Sequence, residues 1–499
     1  MRTGVFGRAC CCCLLIALAA GGAFAGGRAE PRVSDYSSGV SVHDPSIVKS
    51  PDGLYYIFGS HMEVAKSDDL WTWTSVASGV RTANPLFENL LSNPTAFDFV
   101  GRNDEGGYSV WAPDVIYNRA MQRYVMYFSK TSSYVKSSIG FATSDSIAGP
   151  YSYEGTVVYS GFTQADIEKT DVLDHVARED TFRYAGSNSY RNYQWPNAID
   201  PSVFYDAEGR MWMVYGSWSG GIFILEIDES TGRPIRRDAD RASGTDPYFG
   251  THLTGGNHRS IEGPYIVYDE SSRYYYLFVS YGRLVSDGGY QIRVFRSRRP
   301  DGPYLDPSGQ TVDPVYPHDE YGLKLLGNYT LPSLLRAYMA PGHNSVLMED
   351  DGTRLLVYHV RFDDGTEYHE PRVHQWFLNA DGWPVVAPFA YSGERLSDSG
   401  VPLSDIPGTY LLLEFGVDIS DRVAKPREIR LRRDGSILGA ERRTVGSWET
   451  ADGTPFVSLY IDDTSYEGVF LRQPDESGND AITFTAASKE NDSVWGVMY

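Results

Sequence analysis

Between residues 40 and 390 the chain repeats one pattern five times, and this repetition limits the possible folds more than any other feature. Each copy begins with a short turn, flanked by Gly or Pro, that contains an acidic residue or a His. A strand dense in Tyr, Val and Phe follows, and then a second amphipathic strand. The five turns are His43-Asp44-Pro45-Ser46, Trp111-Ala112-Pro113-Asp114, Ile199-Asp200-Pro201-Ser202, Ile261-Glu262-Gly263-Pro264 and Gly342-His343-Asn344-Ser345. Their acidic or His residues are 70, 86, 62 and 81 residues apart.

A repeated unit of short strands with about this length is typical of a β-propeller, in which each unit forms one blade. The apolar strands that follow the turns are 55–60, 124–129, 211–217, 274–280 and 355–360. Because the innermost strand of every blade lines the central channel, we expect the five turns to meet at one end of it. The sequence therefore predicts an all-β fold with a five-bladed β-propeller over residues 35–392, and an active site where the turns meet.

Residues 395–499 follow a different pattern. Alternating apolar and polar residues, separated by charged turns, occur at 428–432, 455–461, 468–472 and 481–486. Alternation with a period of two and short turns is typical of antiparallel strands. The sequence thus predicts a second domain, a small antiparallel β-barrel or β-sandwich, but indicates no role for it.

Residues 1–25 have the features of a secretory signal peptide. Arg2 and Arg8 precede an apolar run, and the segment ends in Ala23-Phe24-Ala25, which fits a cleavage site. All four cysteines lie in this segment, so the mature chain would have neither a thiol nor a disulfide. The rest of the sequence has no apolar stretch of the roughly 18 residues that a membrane-spanning helix needs. We expect a secreted monomer, extracellular or periplasmic, that is free of the membrane after cleavage.

The net charge and the aromatic content narrow the range of ligands. The formal charge is −21, and the loss of Arg2 and Arg8 makes it −23. Such a charge repels nucleic acids and other polyanions, which disfavours the polyanionic pectin backbone as a direct ligand and is compatible with a neutral glycan. Aromatic residues make up 14% of the chain, and 36 of them are Tyr. Aromatic rings can bind the C–H faces of sugars, although most of these Tyr would be ordinary strand residues.

Four of the five turns contain a carboxylate, and three of these, Asp44, Asp200 and Glu262, are the candidates for catalysis. Hydrolysis of a glycoside needs one carboxylate that activates water and one carboxylic acid that protonates the leaving oxygen. The acid needs a raised pKa, which a neighbouring negative charge can provide. A single Asp-Pro-Ser is more often a simple turn. Three acids at equivalent positions of three repeats, however, favour catalysis.

The five turns, with Asn197-Ala198 before the third and Ser260 before the fourth, resemble those of the glycoside hydrolases of family 43, and among them the secreted endo-1,5-α-L-arabinanases. The likeness covers nearly the whole mature chain, because the tail from about residue 395 resembles their C-terminal β-domain. It implies a five-bladed propeller, an inverting mechanism and arabinan, a neutral polysaccharide of pectin side chains, as substrate. It also implies that Asp44 is the general base, Glu262 the general acid, and Asp200 the carboxylate that orients the acid and raises its pKa.

The resemblance implies further that His343 ligates one calcium ion in the channel, behind the sugar at the cleavage point. Calcium prefers oxygen ligands, so this role requires an ion coordinated mostly by water. The alternative for His343 is a channel-lining His that bonds to nearby backbone. The implied substrate contacts, in addition to Asp44 and Asp200, are Gly140, Asn197, Ser217 and Ser219. Trp218 is either a stacking platform for a sugar or a wall residue without ligand contact, and Trp111 and Asp114 look structural.

Two other functions remain open from the sequence. An exo-acting α-L-arabinofuranosidase or β-xylosidase would use the same three carboxylates, and only the shape of the cleft distinguishes it. A non-catalytic glycan-binding propeller is the other alternative, although a lectin has no need of a third carboxylate. The products from linear arabinan distinguish the three functions: a ladder of oligomers, arabinose alone, or no product.

Overall fold

The structure is a computed structural model that describes residues 32–240, 242–312 and 317–499. The predicted signal peptide, residues 1–25, lies outside the described residues. Within them the chain is almost entirely β-strand, with one short α-helix and three 3-10 turns: Val172–His175, and Ser60–Met62, Ile167–Lys169 and Arg178–Arg183. In this described part of the chain, we find no helix with the length and apolarity needed to cross a membrane.

Five antiparallel sheets follow one another along the chain and form the five blades, which confirms the predicted propeller. Blade 1 contains β1–β4 (Ser46–Lys49, Tyr55–Gly59, Glu63–Ser67, Thr74–Ala77), and blade 2 contains β5–β8 (Ser109–Asn118, Arg123–Ser133, Lys136–Ser144, Ser152–Ser160). Blade 3 contains β9–β14 (Ser202–Tyr205, Met211–Tyr215, Ile222–Asp228, Arg233–Pro234, Thr245–Asp246, Gly250–Thr254). Blade 4 contains β15–β18 (Ile261–Asp269, Tyr274–Tyr281, Gln291–Ser297, Leu323–Leu326), and blade 5 contains β19–β22 (Tyr338–Met348, Arg354–Phe362, His369–Leu378, Pro384–Ala390).

The second strand of each blade explains the dense apolar runs in the sequence. Blades pack face to face, so this strand is covered on both sides and has no polar face. All five residues of β10 are buried, as are seven of the eight residues of β16. Strands that are buried on both faces read as continuous apolar segments instead of alternating ones.

Each blade has a residue with left-handed backbone geometry within its first strand (blades 2, 4 and 5) or two residues before it (blades 1 and 3). These residues are Asp44, Ala112, Asp200, Gly263 and His343, with φ of 55°, 40°, 57°, 56° and 46°. In blades 2, 4 and 5 the left-handed residue and its successor lie opposite a single residue of the second strand, which is a β-bulge. A non-glycine residue in this conformation costs about 1–3 kcal/mol, so the surrounding structure must hold it in place.

This register corrects one prediction about the three acids. Asp44, Asp200 and Gly263 each lie two residues before a paired residue of the first strand, namely Ser46, Ser202 and Tyr265. Glu262 therefore precedes the position that Asp44 and Asp200 occupy, and the prediction of three equivalent positions is wrong for it. The glycine that follows Glu262 is the residue with left-handed geometry in blade 4.

The C-terminal region forms a closed antiparallel barrel, so of the two predicted forms, barrel and sandwich, it adopts the barrel. Its eight strands are β23–β30 (Gly408–Phe415, Arg427–Leu431, Ser436–Leu438, Thr444–Thr450, Phe456–Ile461, Thr464–Pro474, Asp480–Ser488, Ser493–Met498). Pairing of β23 with β30 closes the sheet. Closure removes the exposed strand edges that a small open sheet would have.

The barrel packs against blades 4 and 5 through shared apolar and polar contacts. The Trp495 ring lies 5.0 Å from that of Tyr329 in the propeller region and 4.8 Å from that of Phe415. The buried Lys324 of blade 4 donates hydrogen bonds from Nζ to the carbonyls of Gly416 and Asp418, both at 2.9 Å. The barrel is therefore part of the same compact unit as the propeller.

We expect Trp495→Ala to lower the free energy of unfolding by about 3–5 kcal/mol, because it leaves a large cavity in this shared core. Denaturant unfolding would measure the change, with Tyr460→Ala as a control, since Tyr460 is an exposed aromatic residue of the same barrel. The control is expected to change stability by no more than about 0.5 kcal/mol. A loss below about 1 kcal/mol for Trp495→Ala would mean that the interface contributes little.

Candidate active site

The five turns meet around a small cavity of about 20 Å³ in the channel. Each blade contributes its left-handed residue and the next two: Asp44, Pro45, Ser46, Ala112, Pro113, Asp114, Asp200, Pro201, Ser202, Gly263, Pro264, Tyr265, His343, Asn344 and Ser345. The structure thus brings Asp44, Asp200 and His343 together from blades 1, 3 and 5. Glu262 adjoins this lining through Gly263, and its charge interacts with those of His343 and Asp44.

Hydrogen bonds between successive blades fix the left-handed residues. A side chain at the end of one second strand accepts a hydrogen bond from the backbone N–H of the left-handed residue in the next blade. The pairs, acceptor first, are Ser60 with Ala112 (2.9 Å), Ser129 with Asp200 (2.9 Å), Ser280 with His343 (2.7 Å) and His359 with Asp44 (3.3 Å). The last pair closes the ring from blade 5 to blade 1. These bonds fix the backbone of Asp44, Asp200 and His343 at the end of the channel where the five turns meet. We call this end the channel mouth.

Blade 3 departs from this pattern at Gly216, the residue equivalent to Ser129 of blade 2 by strand register. Gly216 has no hydroxyl to offer, and the N–H of Gly263 donates instead to Oδ2 of Asp200 at 3.2 Å. A side chain at Gly216 would place a Cβ 2.4 Å from the carbonyl oxygen of Gly221. The carboxylate of Asp200 is therefore tied to the backbone directly after Glu262.

Asp44 is buried and surrounded by imidazoles. Its Oδ2 accepts a hydrogen bond from Oγ of Ser60 at 2.5 Å and lies 2.8 Å from Nδ1 of His43. Its Oδ1 lies 3.0 Å from Nδ1 of His343. Burial alone would raise the pKa of Asp44, but His343 and His43 hold that pKa well below its usual range. The carboxylate is ionised at neutral pH, which is the state that a general base requires.

Glu262 has a different environment. The hydroxyl of Tyr290 donates to its Oε1 at 2.8 Å, and the hydroxyl of Ser217 donates to its Oε2 at 3.0 Å. Burial raises the pKa of Glu262, although these two hydrogen bonds and His343 oppose the change. A carboxyl group with a raised pKa keeps the proton that a general acid donates.

The charge of Asp200 interacts with those of both other carboxylates. Burial raises the pKa of Asp200 to about 7; the charges of Glu262 and Asp44 add to this effect, and His343 opposes it. A negative charge on Asp200 therefore disfavours a negative charge on Glu262. The site combines an ionised carboxylate with a pair that retains a proton, which is the division of roles that glycoside hydrolysis requires.

His343 contacts the carboxylates on one side and the backbone of blade 4 on the other. Although burial lowers the pKa of the imidazole, Asp44 and Asp200 raise it to about 9. The ring packs on Gly263, where an added Cβ would lie 3.0 Å from Cγ of His343. Its Nδ1 faces Asp44, so Nε2 is the nitrogen that remains for another ligand.

The channel cavity has the chemistry of a cation site. Three of the polar side-chain atoms that line it are buried and have no hydrogen-bond partner among the described residues: Oδ1 and Nδ2 of Asn344 and Oγ of Ser202. Amide, hydroxyl and carboxylate oxygens are the ligands that calcium prefers. The negative charges of the neighbouring carboxylates would also attract a cation. The residues present therefore fit an ion coordinated by oxygen atoms and, through His343, by one imidazole.

Both parts of the chain match family models. The model of the glycosyl hydrolases of family 43 matches residues 38–175 and 181–384, and that of a C-terminal lipocalin-like domain matches residues 388–496. The chain belongs to glycoside hydrolase family 43.

Several relatives within family 43 resemble the chain over most of its length. An extracellular endo-α-(1→5)-L-arabinanase of Thermotoga petrophila is 39% identical, over 91% of this chain and 93% of the relative. Extracellular endo-α-(1→5)-L-arabinanase 2 of Bacillus subtilis is 37% identical, over 92% of each chain. A crystal structure of the Thermotoga petrophila endo-1,5-α-L-arabinanase superposes with a TM-score of 0.79 at 37% identity, covering 94% of this chain and all of that one.

Three of the predicted substrate contacts of this family 43 protein lie at the same mouth. Ser217 bonds to Glu262, and the N–H of Trp218 donates to the carbonyl of Ile261 at 2.8 Å, so the segment runs beside the acid. Ser219 follows, and its Oγ lies 2.9 Å from the hydroxyl of Tyr134.

The other two predicted contacts differ in position. Asn197 is buried in the turn before Asp200, with its Oδ1 3.4 Å from Oγ of Ser160. Gly140 lies in β7 of blade 2 and pairs with Phe128, the neighbour of the Ser129 that holds Asp200. An added Cβ there would lie 3.1–3.2 Å from Phe128, Lys130 and Tyr153, so packing accounts for the glycine.

Asp114 links blades 1 and 3 by accepting hydrogen bonds from Ser46 and from the backbone of Val203.

Sequence reasoning missed an aromatic cluster at the mouth, formed by Tyr134, Tyr193, Trp218 and His258. The His258 ring lies 5.4 Å from that of Tyr134, 5.6 Å from Tyr193 and 5.3 Å from Trp218. Tyr134 and Tyr193 are 53% and 58% exposed, so their faces are open to a ligand. The mouth cluster stands beside Ser219, on the side of the site where Ser217 holds Glu262.

Proposed function

We propose that this protein is a secreted monomeric glycoside hydrolase that cleaves internal α-1,5-L-arabinofuranosidic bonds of arabinan by inversion. The observation that carries the proposal is the division of roles among the buried carboxylates: Asp44 is ionised, whereas the pKa values of Asp200 and Glu262 are raised. Relatives that match more than nine-tenths of the chain are named endo-arabinanases and extracellular, which supports the substrate, the endo action and the location.

In the proposed reaction Asp44 accepts a proton from a water molecule whose oxygen attacks the anomeric carbon. The bond from that carbon to the leaving oxygen breaks as Glu262 donates its proton to that oxygen. Asp200 favours the protonated form of Glu262 before the reaction, because two negative charges so close together disfavour each other. Asp44 then releases its proton to solvent and Glu262 regains one, which completes the cycle.

The products released from linear α-1,5-arabinan test this proposal. An endo-acting enzyme gives a ladder of oligosaccharides early in the reaction and lowers the mean chain length quickly. Release of arabinose alone would favour the exo-acting alternative, and no product at all would favour a glycan-binding propeller.

We also propose that one calcium ion occupies the channel cavity, coordinated by His343 and the oxygen atoms of Asn344 and Ser202. A divalent ion there supplies positive charge beside the carboxylates and orders the water around them. His343 would then have two tasks: its Nδ1, 3.0 Å from Oδ1 of Asp44, would orient that carboxylate, and its Nε2 would release its proton and ligate the ion.

We expect His343→Ala to remain folded and to bind arabinan, but to lose most of its turnover and its bound calcium. Elemental analysis of the purified protein and initial rates on arabinan would measure the two losses. Prolonged chelation of the wild type is expected to produce a similar loss of turnover that added calcium reverses. His175→Ala is a suitable control, because His175 is a partly exposed residue of the connection between blades 2 and 3. Full activity in a wild-type protein verified to be metal-free would disprove the calcium assignment.

The mouth cluster gives a prediction about substrate length. Since it adjoins the residues that hold the general acid, we infer that it binds sugars on the leaving-group side. Tyr134→Ala is expected to raise the KM for long arabino-oligosaccharides about tenfold, which corresponds to the ~1.4 kcal/mol that one aromatic contact contributes. Kinetics on a series of oligosaccharides would show it, with Tyr460→Ala as an exposed control on the barrel. An equal effect of Tyr134→Ala on all lengths would contradict this placement.

A further inference from the structure

One short segment of the barrel differs in charge from the rest of the chain. Residues 422–443 contain eight of the 44 basic residues and only three acidic ones, which gives a local charge of +5 in a chain of −21. The segment covers β24, β25 and the turns next to them. Such a concentration of Arg is not needed to fold a barrel whose interior is filled by apolar side chains.

The strand pattern places these side chains on the outer face of the barrel. In β24 the side chains of Ile429 and Leu431 are buried, whereas Arg430 between them and Arg432 after them are exposed. Arg433 follows in the turn, and Arg442 projects from the loop between β25 and β26. These four Arg line an open groove of about 790 Å³, together with Pro407–Thr409 and the carboxylates of Glu428 and Asp434. We call it the basic groove.

The four Arg of the basic groove outnumber its two carboxylates, which leaves a formal charge of +2. Arg432 lies 3.4 Å from Asp434, but an exposed pair of this kind contributes little to stability. Within the described residues, Arg430, Arg433 and Arg442 form no ion pair with a carboxylate. The guanidinium group is planar and binds carboxylates with two parallel hydrogen bonds. The basic groove therefore has the donors for an anionic ligand that the chain itself does not supply.

We propose that, contrary to the expectation from the net charge of the whole chain, the basic groove binds the carboxylate groups of an acidic polysaccharide, the uronic-acid backbone to which arabinan side chains are attached. This rests on the proposed function, because that function makes such a backbone the neighbour of every substrate chain. The volume of the groove is in the range of ligand-binding clefts, roughly 300–1,000 Å³. The catalytic site and the barrel would thus bind two chemically different parts of one molecule, and the second contact would raise the local concentration of arabinan.

Because the basic groove and the whole protein have opposite charges, the affinity of the groove for a polyanion is expected to depend on salt in an unusual way. At about 0.01 M salt the Debye length is about 30 Å, so the distant carboxylates of the chain repel a polyanion. At about 0.15 M it falls to about 8 Å, which screens the distant charges more than the direct contacts in the groove. At 1 M salt the direct contacts weaken as well. Binding is therefore expected to be strongest at intermediate salt.

Affinity electrophoresis or co-sedimentation with polygalacturonate tests the proposal, using the full chain at 0.15 M salt. The wild type is expected to bind, and the double variant Arg430→Glu/Arg433→Glu to bind at least tenfold more weakly. Arg422→Glu/Lys489→Glu is the matched control, because it makes the same change in net charge at exposed barrel positions outside the groove. Fully methyl-esterified polygalacturonate, which has no free carboxylates, is expected not to bind.

Three results would overturn the proposal: no binding by the wild type, equal weakening by both double variants, or equally tight binding of the wild type to double-stranded DNA. The last would show a general affinity for polyanions. Turnover of linear, neutral arabinan separates this proposal from the catalytic one. Both double variants are expected to retain the wild-type rate, since neither alters the channel mouth. A wild type that binds polygalacturonate but does not cleave arabinan would contradict the proposed function and leave the uronate contact standing.

Discussion

Replacing Glu262 by Gln is expected to lower kcat on linear arabinan by about 10²–10⁴-fold without unfolding the protein. Gln has nearly the same shape and can still bond to Tyr290 and Ser217, which now hold the carboxyl group. It cannot give a proton to the leaving oxygen. Rates on linear arabinan and a thermal unfolding curve would measure the two properties.

A substrate with a better leaving group tests whether Glu262 acts as the general acid. A 4-nitrophenyl arabino-oligosaccharide releases a stable phenolate that needs little protonation, so Glu262→Gln is expected to lose much less activity on it than on arabinan. Ser219→Ala is a control at the same mouth, since Ser219 contacts Tyr134 and has no hydrogen bond to Glu262. Equal losses on both substrates would assign Glu262 a role other than that of the acid.

Replacing Asp44 by Asn is expected to lower kcat by a similar factor of about 10²–10⁴, but equally on both substrates. The base acts on water, so its loss does not depend on the leaving group. Asn keeps the size of the side chain but lacks the negative charge that now interacts with His43 and His343. Near-normal turnover by folded Asp44→Asn protein would exclude Asp44 as the base.

Much of the fold could be predicted because the pattern is local and repeated. Each blade encodes its own turn and its own buried second strand, so five copies indicate five blades without knowledge of how the blades meet. The charged residues of the turns could be identified for the same reason. The barrel was harder to define, because alternating strands fit both a sandwich and a barrel until the pairing of β23 with β30 is known.

The finer geometry of the site depends on contacts between blades that the sequence does not encode locally. Glu262 was assigned the same position as Asp200, but in blade 4 Gly263 occupies that position and Glu262 precedes it by one residue. The role of Ser60 and Ser129 in fixing the next blade joins residues 52 and 71 positions apart. Four of the five predicted apolar strands end in Ser, which was the only trace of this arrangement in the sequence.

Gly140 shows a second limit of the sequence, which does not reveal why a particular glycine is required. The resemblance implies a backbone contact with substrate, and the structure adds a packing reason, because the glycine lies among three large side chains of blade 2. A glycine required for packing and one required for ligand approach have the same appearance in a sequence. The mouth cluster was missed for a related reason, since Tyr134, Tyr193 and His258 come from three separate loops and share no motif.

The anomeric configuration of the first product tests the central claim most directly. If Asp44 activates water while Glu262 protonates the leaving oxygen, hydrolysis occurs in one displacement and an α-linked bond releases a β-configured reducing end. Proton NMR within the first minutes, before the anomers interconvert, would detect it. Initial accumulation of the β-anomer is the predicted result. Initial accumulation of the α-anomer would mean a covalent intermediate and would contradict these roles for Asp44 and Glu262.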